Sequence, residues 1–400
     1  MPEEKTPARF LSLTRAGLTA LQKEPRTPFA PWFSGESKRR LLLTAGLDTA
    51  RYADYEAFEA FLLSRPALGT SPLYALAAAD LRQCYGAPAP RSQKSVAALW
   101  QKAVRDPLTP AAALARAGVK TALVPVCPVE PLPPKKPLDG VTFLPIAAPV
   151  GLDFSDLLHL ISTRRIDSTA ALEAHIAAEL DRVGAPSAVW RLAGETGELP
   201  DPYRARLLLE KAAAGASLDG EERAALAAEG AFLLGGALSR RGMRWQLFLD
   251  PVAGEGDRRS VAALFEKMIA KKRLPDTVLC VSCPADVAIF LPLFATAKEA
   301  PAPRVYCALD GAAPDVLVYT LTAALLMAPG SFLGLAGDAP DFLAVPMTAL
   351  YEKALSAHLF GRALSVAPSL SPKEARALFA DLAPAPTGRL CRFLTAPRKV

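Results

Sequence analysis

The fold is decided by one stretch, residues 242–342. It opens with Gly-Met-Arg-Trp-Gln-Leu-Phe-Leu-Asp-Pro (242–251). It continues through Leu-Pro-Asp-Thr-Val-Leu-Cys-Val-Ser-Cys-Pro (274–284) and Arg-Val-Tyr-Cys-Ala-Leu-Asp (304–310). It closes with Ser-Phe-Leu-Gly-Leu-Ala-Gly-Asp-Ala-Pro-Asp-Phe (331–342). Each apolar run ends in polar or turn residues, and helical patterns separate the runs. Strand, loop and helix in repetition predict parallel β/α units. In a (β/α)8 barrel of the TIM type the chemistry sits where the strands end. The strand-end residues Asp250, Cys283, Asp310 and Asp338 are therefore the first candidates.

Working outward, three more strands are predicted, at 119–127, 141–148 and 187–192, which makes seven. Helices are expected at 111–117, 153–163, 168–183, roughly 201–241, 345–360 and 371–380, with Ser217 and Asp219 as N-cap candidates. An eighth strand should come early in the chain. Residues 7–23 read as a helix from the spacing of Leu11, Leu18 and Leu21, so the candidate is 27–33. That segment holds Pro28 and Pro31, which a central strand tolerates poorly, and the first strand is predicted to be distorted or incomplete. Residues 35–105 carry helical patterns broken by Pro66, Gly69 and Gly86, and read as a helical insertion or cap. The expected organisation is one barrel over 1–400, with its main β/α units over 110–400.

Composition narrows the classes. Apolar residues make up 51% of the 400, enough for a large buried core. The net charge of +6 is modest, and the basic clusters at Lys38-Arg39-Arg40 and Lys271-Lys272-Arg273 are short, so no nucleic-acid partner is expected. The first residues, Met-Pro-Glu-Glu-Lys, do not form a signal peptide, and no apolar run reaches membrane-spanning length. Six cysteines are too few for a secreted disulfide scaffold of this length, and a cytoplasmic protein is expected.

The collinear order of several segments carries a resemblance. Ser-Lys-Arg-Arg-Leu-Leu-Leu-Thr-Ala-Gly-Leu (37–47), Asp-Tyr-Glu-Ala-Phe (54–58), Ser-Pro-Leu-Tyr (71–74) and Val-Thr-Phe-Leu-Pro (141–145) come first. Gly-Met-Arg-Trp-Gln-Leu (242–247), Leu-Pro-Asp-Thr-Val-Leu (274–279) and the run from Phe332 to Phe342 follow. In this order they resemble the glucuronate (uronate) isomerase family of the metal-dependent amidohydrolase superfamily. The resemblance implies a barrel that interconverts an aldehyde-form uronate and its keto isomer, D-glucuronate and D-fructuronate for example. A divalent metal at the barrel mouth, Zn²⁺ or Mn²⁺, polarises sugar oxygens there while a carboxylate moves protons.

The departures from the family pattern bear on function. The family's His-x-His pair has no counterpart, because the three histidines are His159, His175 and His358, each in a predicted helix. Phe248 stands where the resemblance implies a histidine. Ala193 and Gly194 replace an Asp-His pair, Ala148 replaces an arginine, and Pro340 replaces a second arginine. Asp338 matches the family's last-strand aspartate and is the candidate catalytic residue. A catalytic divalent metal needs about three protein ligands, so the expectation is no metal, with Asp338, Asp250 and Cys283 as the fallback ligands.

Further candidates stand beside the resemblance and what it implies. Arg191, Asp250, Asp310 and Cys283 are candidates for binding a sugar acid, with Arg191, beside Glu195, suited to a carboxylate. Cys127, Cys283 and Cys307 each fall near a strand end and could line one mouth. The Cys280-x-x-Cys283 pair is read within one strand, where its thiols would diverge. Three functions follow. The leading one is an isomerase-like protein that has lost the metal site and retains sugar-acid binding. The second is a structural or regulatory partner protein, and the third an active isomerase with a rebuilt site. The expected partners are a uronate and a second copy of the chain.

Overall fold

The computed structural model describes residues 9–12, 92–105, 119–137, 140–192, 196–249, 255–281, 283–295, 305–309, 331–335 and 386–396, with 86, 323, 371 and 373 as isolated positions. Its strands are β1 (Arg9–Ser12), β2 (Val119–Val126), β3 (Thr142–Ala147), β4 (Ser187–Leu192), β5 (Arg244–Leu249), β6 (Thr277–Val281), β7 (Val305–Leu309) and β8 (Phe332–Leu335). They form one eight-stranded sheet in chain order, and every neighbouring pair is parallel. The fold is a TIM-type (β/α)8 barrel. Seven strands lie where the alternation of apolar runs and turns predicts them.

The first strand differs from expectation. It is Arg9–Ser12, not 27–33, and it occupies a segment whose leucine spacing reads as helix. Four residues are too few to show a period of their own, and pairing with β2 decides their conformation. The irregularity foreseen for this strand is a register shift between Arg9 and Phe10. The segment 27–33 and most of 35–105 lie outside the described residues. Within that part, α1 (Gln93–Arg105) is helical as predicted.

Local chemistry sets the helix boundaries. In α2 (Phe154–Arg164) the Asp153 carboxylate accepts from the Asp156 N–H, and the helix stops at Arg165 in the left-handed region. In α3 (Thr169–Val183) Ser168 caps the start and Gly184, at φ 64°, ends the helix. Asp201 and then Pro202 start α4 (Pro202–Ala213). Asp219 and Glu222 form a capping box at α5 (Gly220–Arg240), and Lys211 of α4 holds Glu222 at 2.6 Å. Of the two cap candidates, Asp219 caps α5; Ser217 precedes it in the loop. Next come α6 (Glu255–Ala270) and α7 (Pro284–Ala295). The expected helices at 111–117, 345–360 and 371–380 lie outside the described residues, apart from Ser371 and Lys373.

Strand alternation sorts the core into two layers. Outward residues of the sheet, including Ala188, Trp190, Trp245, Leu247, Leu279 and Cys307, pack under the helices with Phe265, Phe290 and Phe294. Inward residues, including Leu123, Ile146, Val189, Phe248, Val278, Cys280 and Ala308, fill the barrel. Leu390 and Leu394 join this inner layer from α8 (Pro386–Thr395), a helix absent from the sequence reading. The Arg244 guanidinium, on the first residue of β5, donates to the Ala396 carbonyl just past α8. Tyr306 of β7 packs on Phe393, so α8 lies across the N-terminal ends of the strands. That end is the floor of the barrel, and the mouth is opposite.

Candidate active site at the barrel mouth

The inward positions at the C-terminal ends of the strands define the mouth. On β4 the residue is Arg191, and its guanidinium carbon lies 5.2 Å from the ring centroid of Phe248 on β5. The two positions are paired in register, so the stacking follows directly from strand alignment. Ala148 after β3, Cys280 on β6 and Ala308 on β7 belong to the same buried layer as Phe248. Cys127, just past β2, packs against it. One step deeper, the wholly buried Gln246 donates to the Cys280 sulfur at 3.8 Å.

The loops around this mouth are tied to the helices. Arg182 of α3 donates to the carbonyls of Glu130 at 2.9 Å and Cys127 at 3.0 Å, and to Glu179 at 2.7 Å. The Cys127 N–H in turn donates to the Glu130 carboxylate at 3.0 Å. Burial first, and the Glu130 charge next, push the Cys127 thiol well up, which keeps it protonated and a poor ligand or nucleophile. After β3, Asp156 accepts from the Leu152 N–H at 2.7 Å. Gly151 permits that turn, because its φ is +87° and a Cβ there would collide with Asp156.

The described histidines stand apart from this chemistry. His175 on α3 donates through Nε2 to the Pro149 carbonyl at 3.2 Å and so anchors the β3 loop. Burial lowers its pKa, which favours the neutral ring in that role. His159 on α2 is exposed and lies 3.5 Å from the Thr163 hydroxyl. His358 lies outside the described residues.

Two of the cysteine expectations need correction. Cys283 lies beyond β6, which ends at Val281, and immediately precedes α7. It therefore does not share a strand with Cys280. Pro284 at the first helical position draws the chain out of the sheet there. Cys307 faces away from the mouth, because its neighbours Tyr306 and Ala308 take the inward positions on β7. Both thiols are free and are pushed up chiefly by burial. Cys127 alone of the trio packs against the inner layer. Asp250, Asp310, Asp338 and Glu195 lie outside the described residues, as do Ala193, Gly194 and Pro340.

A buried ion pair whose members no local motif links lies beside the mouth. Asp286, in the first turn of α7, is wholly buried and accepts from Arg258 of α6. Its second oxygen accepts from the Cys283 N–H at 3.2 Å. The available signal was Cys-Pro-Ala-Asp at 283–286, with proline at the first helical position and an acid two residues on. The pair sets opposite charges against each other and binds the start of α7 to α6.

Among the described residues, no three His, Cys, Asp or Glu side chains come together as a metal would require. The donor chemistry agrees: Ala148, Phe248 and Ala308 have no ligating atom, and Cys127 holds its proton. The described part of the mouth supplies no set of metal ligands, and the fallback ligands Asp250 and Asp338 lie outside it. It presents a guanidinium over an aromatic face, which suits a carboxylate bound beside an apolar body.

No protein-family model matches the chain, and no curated protein is similar to it in sequence. Solved structures are similar to it in fold over nearly the whole length. A uronate isomerase from Thermotoga maritima superposes with a TM-score of 0.70 at 16% identity, covering 96% of this chain and 94% of that one. For a glucuronate isomerase from Caulobacter crescentus the TM-score is 0.66 at 13% identity, with coverage of 98% and 94%. For a uronate isomerase from Bacillus halodurans it is 0.61 at 9% identity, with coverage of 96% and 93%. At these identities the likeness is one of fold. No described helix is long and apolar enough to cross a membrane.

Proposed function

We propose that the chain is a uronate isomerase-like protein that binds a sugar acid at its barrel mouth and has lost metal-assisted isomerisation. The observation that carries this reading is the Arg191–Phe248 pair. On a barrel whose structural neighbours are uronate isomerases, a phenyl ring with a guanidinium above it holds a strand-end position. A phenyl ring cannot ligate a metal, whereas the guanidinium can hold a carboxylate by paired hydrogen bonds. Ala148, Cys280 and Ala308, at the remaining described strand ends, are small and supply no acid or base. Asp338 is the carboxylate proposed to remain from the family reaction, and Asp250, Asp310 and Cys283 are proposed to contact the bound acid.

The test is proton NMR of D-glucuronate incubated with the purified protein and added Zn²⁺ or Mn²⁺. The expected result is no keto isomer above a protein-free control. Saturation transfer from protein to glucuronate should appear, and should disappear in Arg191→Ala. Formation of the keto isomer, abolished by Asp338→Asn, would instead establish an active isomerase with a rebuilt site.

A second reading, a partner protein on a barrel scaffold, draws on Tyr203 and Leu207. They lie one helical turn apart on α4 and are 73% and 45% exposed. Sedimentation velocity of the wild type against Tyr203→Ser with Leu207→Ser tests it. A species heavier than one chain, lost in the double variant, would favour self-association through this face.

A further inference from the structure

The floor of the barrel carries an unbalanced charge. Ser187 and Arg244 are the first residues of β4 and β5 and are paired in register. Ser187 shares the inward face with Val189, and Arg244 shares it with Phe248, since residues two apart on a strand point the same way. Arg244 is only 7% exposed, and Ser187 is 0% exposed. Among the described residues, the Arg244 guanidinium has two neighbours. Nη1 donates to the Ala396 carbonyl at 2.6 Å, and the Phe393 ring lies 5.3 Å away. Both are uncharged. Nε of Arg244 and Oγ of Ser187 have no hydrogen-bond partner.

Arginine cannot shed its proton, so Arg244 stays cationic. A buried cation without a counter-charge costs several kcal/mol. The negative end of α8 compensates for about half a charge at most. The unused Nε–H is a donor, and the serine hydroxyl can also donate. The two stand at register-paired positions, each without an acceptor. A water molecule would satisfy both atoms but would leave the charge unbalanced.

We propose that the barrel floor between β4 and β5 holds a small inorganic anion of the halide class, which accepts from Arg244 Nε and Ser187 Oγ. Leu390 and Leu394 of α8, both wholly buried, close the floor against anything larger. The site is separate from the mouth and does not depend on what the mouth binds.

Thermal unfolding in sodium bromide and in sodium gluconate at equal ionic strength tests this. Bromide should raise the melting temperature by roughly 2 °C for each tenfold rise in concentration above half-saturation, because it binds the folded state alone. Gluconate, too large for the floor, should not. Ser187→Ala keeps the floor packed and should shift the bromide response to higher concentration; Arg244→Gln should abolish it. In bromide-soaked crystals, anomalous scattering should place the ion within hydrogen-bond reach of both side chains. Equal melting temperatures in the two salts would overturn the proposal. So would a bromide response unchanged in Ser187→Ala, or a crystal without bromide at this position.

Discussion

The two ends of the barrel handle charge in opposite ways. Beside the mouth, Arg258 and Asp286 are both buried and cancel one another. At the floor, Arg244 is as buried as Arg258 but rests on a carbonyl and a ring. In barrels of this kind polar residues gather at the strand C-termini, while the opposite end serves stability. Here the described mouth layer is mostly apolar, with Arg191 as its charged member, and the floor holds an arginine and a serine with unused hydrogen-bonding capacity. The contrast teaches that an end of a barrel cannot be assigned to chemistry or to stability by position alone.

The sharpest way to break the contrast is to unbalance the mouth-side pair. Asp286→Ala removes the buried carboxylate that Arg258 contacts and should cost about 3–5 kcal/mol by urea denaturation. A loss under 1 kcal/mol would mean that the pair is no more self-sufficient than the floor cation. Leu394→Ala tests the floor, where it removes a wholly buried side chain and should cost about 2–5 kcal/mol. It should also speed exchange of the amides at the start of β5, which hydrogen-exchange mass spectrometry would show. A small cost would mean that α8 does not hold the floor.

Between the two ends, the helix layer contains its own test of charge burial. Glu229 of α5 faces Arg273 and Lys271 from the turn before β6 and Glu173 from α3, and burial above all pushes its carboxyl up to about 7. A carboxyl raised in the folded state binds its proton more tightly there than in the unfolded chain. Its contribution is therefore fully present below pH 4.5 and is lost as the pH rises through 7. The wild type should lose about 1–3 kcal/mol over that window, and Glu229→Gln should flatten the profile. An unchanged profile would show that Arg273 and Lys271 neutralise this carboxylate as fully as Arg258 does Asp286. The smallest effect is expected in the mouth loop, where Val129 has φ 66°. Val129→Gly should stabilise the protein by about 0.5–1 kcal/mol, read from the urea midpoint, because a β-branched residue is strained in that region.

Much of the barrel was legible in the sequence because most of its strands are long enough to alternate. Ser187–Leu192 was located to the residue, and β2, β3 and β5 to within two residues at each end. The first strand was misplaced because four residues carry less pattern than the leucine spacing around them. The helix α8 is not legible because it is short and begins at Pro386 just after Pro384, and contacts from distant strands hold it in place. The site was less legible for a related reason. The strand ends were found, but facing depends on a single step in register. Cys307 was placed in the mouth and lies under the helices, one residue from the inward Ala308. Asp286 escaped notice because its partner Arg258 is twenty-eight residues away, which no local motif spans.

The position of α8 has a consequence for how the chain is made. The contact from Arg244 to Ala396 spans 152 residues, so the second partner emerges well after the first. Until then Leu123, Ile146, Val189 and Phe248 lack the leucines that complete their layer. On the ribosome, a nascent barrel that already has its early strands would carry a greasy, open underside until α8 follows. At about 5–20 residues per second, the interval between Arg244 and Ala396 lasts roughly 10–30 seconds. That interval is when the protein should be most attractive to chaperones, and it ends when α8 swings beneath the barrel.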